Sequence, residues 1–187
     1  MSDVEDTLDR HWHLATDDHE IALAEFEYSV MRAFEGFARW QAECLAAVTG
    51  LQMSGGDNAI LHVIRMKDRP KGAKEIARLL NRDDLPNIQY SLRKLVKAGL
   101  ITKRGGGSHR QGVRYETTAQ GRAVTERYAA VRRALLVAFT RSAGGLDSEL
   151  ERATRTLELM AGIYEQAARI AATHRRPTTD HGDAGSA

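Results

Sequence analysis

The chain has 187 residues, of which 42% are hydrophobic, so it can bury a core and fits either one domain or one compact domain with an oligomerisation element. No stretch approaches the roughly 18 consecutive apolar residues of a membrane span, and the start, MSDVEDTLDR, is acidic where a signal peptide is basic. The single cysteine excludes an intrachain disulfide and any CxxC motif. We therefore expect a cytoplasmic globular protein.

The net charge of +2 conceals a segregation of charge along the chain. Residues 65–114 carry 14 Lys and Arg against 4 Asp and Glu, whereas the rest of the chain carries 13 against 21. Basic charge confined to one stretch is typical of a polyanion-binding module on a neutral or acidic scaffold. The alternative interpretation is an ordinary solvated basic surface.

A first helix is predicted from about Thr16 to Val48, with Asp17 as its cap and Glu20 in the capping-box position. Its apolar residues recur at steps of three and four: Leu23, Phe26, Val30, Phe34, Phe37, Cys44, Leu45 and Val48. A helix of about 30 residues is roughly 45 Å long, which is more than a small domain covers alone.

Two shorter helices follow. After the turn-rich GLQMSGGD, a helix with apolar Ile60, Leu61 and Ile64 ends before KDRPKG, and an amphipathic helix spans residues 73–81 through Ile76, Leu79 and Leu80.

A fourth helix has Asp84 as candidate N-cap, Pro86 in its first turn and Gly99 after its end. One face is apolar and the other polar: Ile88, Leu92, Leu95 and Val96 against Pro86, Tyr90, Arg93 and Lys97, flanked by Asn87, Gln89 and Lys94. Strand-like runs over residues 100–104 and 113–118 then predict a hairpin with a basic tip.

Two helices close the pattern, one over residues 119–142 and one from about Leu150, with a capping box at Ser148 and Glu151. The last helix has a heptad-like seam: Ala153, Leu157, Met160, Tyr164, Ala167 and Ala171. Such a narrow seam favours a partner helix and hence a dimer, although an intramolecular bundle is the alternative. Residues 174–187 have no periodicity and are expected to be disordered.

Helix, short helix, polar-faced helix and basic hairpin, in that order, indicate a mainly α fold with a small β-hairpin wing. The segments LVKAGLI and TTAQG, with the long flanking helices, resemble the MarR-type winged helix-turn-helix transcription regulators over residues 20–172. The resemblance implies a dimer with interlocked terminal helices, and small, often aromatic ligands bound between those helices and the DNA-binding lobe. Trp40, His62, Arg65 and Tyr128 are candidates for that ligand site. The family's D-x-R pair at the wing is absent, and Ser108, His109 and Arg110 occupy the tip.

The polar face of the fourth helix has the side chains that a major groove requires. Asn87 and Gln89 can pair with adenine and Arg93 with guanine, while Tyr90 can reach a phosphate, a sugar or a thymine methyl. The predicted phosphate contacts are Lys94, Lys97, Lys103 and Arg104, and the wing tip adds His109 and Arg110, the latter for the minor groove. Each residue alone is as well explained by solvation, but their shared face favours double-stranded DNA as partner.

Catalytic and cofactor motifs are absent from the sequence. HEIAL begins like a zincin motif but has Leu23 at the second ligand position, and GGGSHR lacks the spacing of a P-loop or a nucleophile elbow. His11, His13 and His19 are better explained by a polar arm than by a metal site, and Cys44 by a small buried side chain than by a redox sensor. We therefore expect no enzyme, metal or cofactor.

The leading hypothesis is a homodimeric, sequence-specific repressor on a pseudo-palindromic operator, released by a small ligand. The alternatives are a winged-helix module for protein contacts and an enzyme with an unrecognised site. The expected organisation is an arm (1–16), a dimerisation helix (17–50), the DNA-binding lobe (51–118), C-terminal dimerisation helices (119–173) and a tail (174–187).

Overall fold

The computed structural model describes residues 13–105 and 112–174, and these divide into two compact units between Leu135 and Leu136. The first unit contains α1 (Asp18–Thr49), α2 (Gly55–Arg65), β1 (Lys71–Gly72), α3 (Ala73–Leu79), α4 (Leu85–Lys97), β2 (Ile101–Arg104), β3 (Arg114–Thr117) and α5 (Ala119–Arg132). The second contains α6 (Ala138–Ser142) and α7 (Leu146–Thr173), and a π-helical segment, Arg133–Val137, lies at the boundary. None of the described helices is long and apolar enough to cross a membrane.

The long first helix is confirmed, and so is its cap, because the Asp17 carboxylate accepts the backbone N–H of Glu20 at 2.9 Å. The helix packs on α2 and α5, yet it buries little of its apolar face within the chain. Phe34 is 66% exposed and Phe37 is 55% exposed. The single chain therefore leaves large aromatic side chains of α1 in contact with solvent.

The core of the first unit lies between α2, α3, α4 and the sheet. Its buried side chains come from every one of these elements and from the neighbouring helices: Leu45, Ile60, Leu61, Ile64, Ile76, Ala77, Ile88, Leu92, Leu95, Leu100, Ile101 and Val124. The predicted inward position of Leu79 is wrong, because its side chain is 41% exposed while the preceding Ile76 and Ala77 fill the core.

The predicted hairpin is confirmed as β2 and β3, which pair antiparallel from Ile101 with Thr117 to Arg104 with Arg114. A third strand, β1, was not predicted and pairs with β3 through Lys71 and Tyr115, giving the order β1-β3-β2. The wing-tip candidates His109 and Arg110, with Ser108, lie outside the described residues.

Lys71 explains why so short a strand is formed. Its side chain is fully buried, and its ammonium donates hydrogen bonds to the carbonyls of Ile64 and Arg69, each at 3.1 Å, and to that of Met66. Burial, followed by the charge of Arg69, lowers the pKa of Lys71. The lysine thus occupies the carbonyls at the end of α2 and fixes β1 beside it.

The start of α2 differs from the prediction, because the two glycines assigned to a turn lie in the first helical turn. Ser54 is the N-cap and forms a capping box with Asp57. A Cβ on Gly55 would lie 2.6 Å from the carbonyl oxygen of Ala38. Glycine is needed here because α1 and α2 approach each other closely, not because the chain turns.

In the second unit, α7 begins at Leu146 after Gly145, whose φ of 66° is left-handed. The predicted capping box at Ser148 is wrong, because Ser148 lies in the first turn and its hydroxyl donates to the carbonyl of Gly145 at 3.4 Å. No residue of this 28-residue helix is buried within the described chain. Most of its apolar residues, Leu150, Leu157, Leu159 and Ile163 among them, are exposed.

The glycine of TTAQG generates a stability prediction. A Cβ on Gly121 would lie 1.9 Å from the carbonyl oxygen of Leu100, which is backbone and has little room to yield. We expect Gly121→Ala to lower the free energy of unfolding by about 1–3 kcal/mol or more. Gly36→Ala is the control, because nothing lies within 4 Å of its Cβ position. That change should stabilise α1 by about 0.5–1 kcal/mol. Chemical denaturation followed by circular dichroism measures both, and equal stabilities would contradict the close approach.

Candidate nucleic-acid interface

The predicted amphipathic character of α4 is present in the structure. Ile88, Leu92 and Leu95 are fully buried against α2 and α3, so the opposite side of the helix is turned to solvent. The opposite face presents Asn87, Gln89, Tyr90, Arg93 and Lys97 to solvent, and Tyr90 is 58% exposed. The polar residues expected to read bases therefore share one accessible surface.

A groove of about 620 Å³ adjoins this face, between the start of α3, α4 and the wing strands. It is lined by Gly72, Ala73, Lys74, Leu85, Gln89, Arg93, Lys103, Gly112, Val113, Arg114 and Tyr115. Four of these side chains are cationic, and no acidic residue is among the described residues of its lining. We refer to this surface as the basic groove. Its charge and position suit a phosphate backbone that passes beside the exposed face of α4.

Two cationic residues of the basic groove, Lys74 and Arg114, were not among the residues that the sequence predicted to contact DNA. Lys74 lies in the first turn of α3, and Arg114 is paired in the sheet with Gly72 and Arg104. The Arg114 guanidinium also donates to the carbonyl of Pro70 at 3.2 Å. The pairing of β1 with β3 brings both residues to the groove, and a strand of two residues has no sequence pattern that would predict it.

Several predicted contacts already have partners in the protein. The Lys94 ammonium bonds the carboxylate of Asp57, and the Arg104 Nε lies 2.5 Å from Glu116. The Asn87 amide donates to Asp84 at 3.1 Å. Arg93, Lys97 and Lys103 have no ion pair among the described residues, so they are better suited to contact DNA.

Asp84 is confirmed at the N-cap position of α4, but its side chain does not cap the helix. Its carboxylate accepts hydrogen bonds from the Arg82 guanidinium, at 2.7 Å for Nε, and from Asn87. These bonds, with that of Arg82 the larger, lower the pKa of Asp84 to about 2. The carboxylate is therefore ionised at neutral pH. The positive charge of Arg82 offsets part of its negative charge at the start of the exposed polar face of α4, which we call the reading face.

Tyr90 has two cations close to its ring. The Arg93 guanidinium and the Lys94 ammonium each lie 5.9 Å from the ring centroid. At that distance both are attracted to the face of the ring, so Tyr90 and Arg93 restrict each other's orientation on the exposed surface.

The structure brings together three of the four candidate ligand residues. The rings of His62 and Tyr128 are 4.5 Å apart, and Trp40 lies beside the Tyr128 hydroxyl together with Asn58. Arg65, the fourth, lies three residues after His62 on α2 and forms an ion pair with Asp68. We refer to Trp40, Asn58, His62 and Tyr128 as the buried polar cluster.

In the buried polar cluster, four atoms have no hydrogen bond of normal geometry among the described residues: Trp40 Nε1, Asn58 Nδ2 and Oδ1, and His62 Nε2. Trp40 and Asn58 nevertheless lie close enough to the Tyr128 hydroxyl to act on its pKa. Burial lowers the pKa of His62, so its ring is neutral at physiological pH, and burial raises the pKa of Tyr128. Native interiors seldom leave such atoms unpaired, so the cluster suits a bound water or small molecule. Asn58 was missed by the sequence reasoning, although an amide preceding apolar Ile60 and Leu61 is a weak signal for it.

Cys44 is 3% exposed, and burial raises the pKa of its thiol. The protonated thiol is a poor nucleophile. The interpretation of Cys44 as a small buried side chain therefore agrees with its surroundings.

Comparison with known proteins agrees with this geometry. Residues 53–121 match the family model of the winged helix DNA-binding domain. MarR of Staphylococcus aureus, in complex with salicylate and kanamycin, is 18% identical with a TM-score of 0.60, and the match covers 81% of this chain and 95% of that protein. MosR of M. tuberculosis in complex with DNA is 21% identical (TM-score 0.58; 75% and 96% covered), and BldR of Sulfolobus solfataricus is 20% identical (TM-score 0.61; 76% and 99% covered). No curated protein sequence matches the chain significantly.

Residues 53–121 thus have the fold of a winged helix DNA-binding domain. The particular fold, including the long helices on either side of that domain, is the fold of the MarR-family transcription regulators. The resemblance inferred from LVKAGLI and TTAQG is thereby confirmed at the level of the fold.

Proposed function

We propose that the protein is a cytoplasmic, homodimeric transcription regulator of the MarR type that binds a specific double-stranded DNA site and represses transcription. The observation that carries the proposal is the continuity of the exposed polar face of α4 with the basic groove. A helix whose reading face adjoins a phosphate-binding surface is what major-groove recognition requires.

Within this proposal the exposed residues divide by their chemistry. Arg93 lies centrally on α4, and its planar guanidinium can donate two hydrogen bonds to a guanine edge. Gln89 and Asn87 suit adenine, although Asn87 must share its amide with Asp84. Lys97, near the end of α4, and the groove residues Lys74, Lys103 and Arg114 suit phosphates, which position the protein without specifying sequence.

The dimer is proposed from the exposed apolar surfaces. Phe34 and Phe37 on α1, and Leu150, Leu157 and Leu159 on α7, are exposed in the single chain. Apolar surface of this extent favours association, because burying it removes it from water. Two copies related by a dyad would place their α4 helices about 34 Å apart, so half-sites should be centred about 10 base pairs apart.

The DNA-binding proposal is tested by comparing Arg93→Ala with Lys97→Ala on a duplex selected from a random pool. Arg93→Ala should cost about 1–3 kcal/mol on the selected site and relax the preference at one position, because it removes a base contact. Lys97→Ala should weaken binding to selected and scrambled duplexes alike and lower the salt slope by roughly one. Binding isotherms at several salt concentrations measure both effects. Absence of salt-dependent binding by the wild type would favour the protein-contact module instead.

The dimer is tested by light scattering at micromolar concentration, where the wild type should have about twice the 20.7 kDa mass of the chain. Leu157→Asp places a charge in the exposed apolar stripe of α7 and should shift the protein toward the monomer. Arg155→Asp, a charge reversal two residues away on the same exposed helix, is the control and should leave the mass unchanged. A monomeric wild type would refute the dimer.

We further propose that a small aromatic ligand binds the buried polar cluster and releases DNA. The rings of Trp40, His62 and Tyr128 offer stacking surface, and the unpartnered atoms of Trp40, Asn58 and His62 offer hydrogen bonds. Arg65 is left out of this proposal, because its guanidinium already pairs with Asp68.

Salicylate is a suitable probe of the buried polar cluster. We expect it to weaken DNA binding by the wild type and to have a smaller effect on Asn58→Leu, which removes two of the unpartnered atoms at similar volume. Arg65→Ala is the control and should respond to salicylate as the wild type does. Titration of DNA with and without salicylate measures the effect. An equal response of wild type and Asn58→Leu would exclude the cluster as the site.

A further inference from the structure

Asp57 is an acidic residue buried in the middle of the most basic lobe of the protein. It is 1% exposed, and its carboxylate bonds the ammonium of Lys94 on α4. The two residues are 37 positions apart, so the ion pair joins the beginning of α2 to the last turn of α4. Lys94 itself is only partly exposed, in contrast to its neighbours Arg93 and Lys97.

The Asp57 carboxylate is held in place from its own side as well. Its Oδ2 accepts the backbone N–H of Ser54 at 3.0 Å, and the Ser54 hydroxyl accepts the backbone N–H of Asp57 at 3.1 Å. Ser91, on α4, donates a further hydrogen bond to it. Burial acts to raise the pKa of Asp57, but the hydrogen bonds from Lys94, Ser91 and Ser54 outweigh it and the pKa is lowered. The carboxylate therefore stays charged and fixed.

Two of the groups bound to Asp57, Ser91 and Lys94, lie three residues apart on α4 and flank the reading face. Lys94 follows Arg93 directly, and its ammonium is 5.9 Å from the ring of Tyr90. Residues that are three and four apart share a helix face, so the two bonds to Asp57 oppose rotation of α4 about its axis. A rotation would redirect Arg93 and Tyr90 together.

We propose that Asp57 is a positioning residue for DNA recognition, which holds the rotation of α4 through Lys94 and thereby aims Arg93 and Tyr90 at the base edges. Lys94 then serves the protein's own geometry and is not a phosphate contact. The inference rests on the proposed function, because it concerns how α4 reads DNA.

The experiment compares Asp57→Asn, Lys94→Met and the double variant on selected and scrambled duplexes. If Asp57 only adds negative charge near DNA, removing its charge should tighten binding. If it positions α4, both single variants should bind the selected duplex about tenfold more weakly and the scrambled duplex about equally, since a lost charge-assisted hydrogen bond is worth that factor. The double variant should be no weaker than either single variant, because both changes remove the same interaction.

Lys97→Met is the matched control, because it removes an exposed lysine of the same helix. It should lower the salt slope by about one, whereas Lys94→Met should leave the slope unchanged. Lys94→Arg, which keeps the charge, should prefer the selected duplex as the wild type does, in contrast to Lys94→Met. Asparagine can still accept the Ser54 N–H, and if Asp57→Asn nevertheless fails to fold, the Lys94 variants decide the question with the capping box intact.

The outcomes separate this inference from the proposed function. A wild type without salt-dependent DNA binding refutes the proposed function before any variant is made. A wild type that binds its selected duplex, with a Lys94→Met variant that loses affinity on all duplexes alike and lowers the salt slope, makes Lys94 a phosphate contact and refutes the positioning role of Asp57.

Discussion

The burial of α2 is the constraint on which the rest of the first unit depends. The helix packs against α1, α3, α4, α5 and β3, with Ile60, Leu61 and Ile64 in the core. Its start is capped by Ser54 and its last carbonyls are bonded by Lys71, so both ends are fixed by named side chains. Adjacent residues of its first turns, Asp57 and Asn58, are both buried polar groups. One bonds α4, and the other lies beside Tyr128 of α5. A small displacement of α2 would therefore move residues that contact α4 and residues of the buried polar cluster together.

The parts of the fold that the sequence predicted are those encoded by local pattern. The apolar period of α4, the cap of α1 at Asp17 and the apolar-polar runs of β2 and β3 all act within a few positions of each other. The parts that it did not predict depend on distant partners. β1 forms because the Lys71 side chain bonds a carbonyl at the end of α2 and the Lys71 backbone pairs with Tyr115, 44 positions further along the chain. The glycines before α2 were assigned to a turn, because the carbonyl of Ala38 that excludes a side chain at Gly55 is not apparent in the sequence.

The candidate interface likewise has features that the local sequence pattern predicts and features that depend on distant residues. Helical projection identified the exposed residues of α4 correctly as one face, since projection needs only the helix and its buried side. It did not distinguish a free cation from a paired one. Lys94, Lys97 and Lys103 were equivalent in the sequence, yet Lys94 is bonded to a carboxylate far away in the chain, whereas the other two have no ion pair in the described part of the structure. The charge count over residues 65–114 thus overstates the positive charge available to DNA.

The two long helices, α1 and α7, present the opposite situation. Their apolar pattern is clear in the sequence, but the single chain leaves apolar residues of both helices exposed. α7 has an apolar stripe with none of its residues buried, and α1 exposes two phenylalanines. A solvated helix gains nothing from such residues, and most helical stability in proteins comes from packing of an apolar face. If a second copy covers these faces, folding and association become linked, and the stability of the protein depends on its concentration. The distance between the two α4 helices of the dimer would then be set by α1 and α7, which carry no candidate DNA-binding residue.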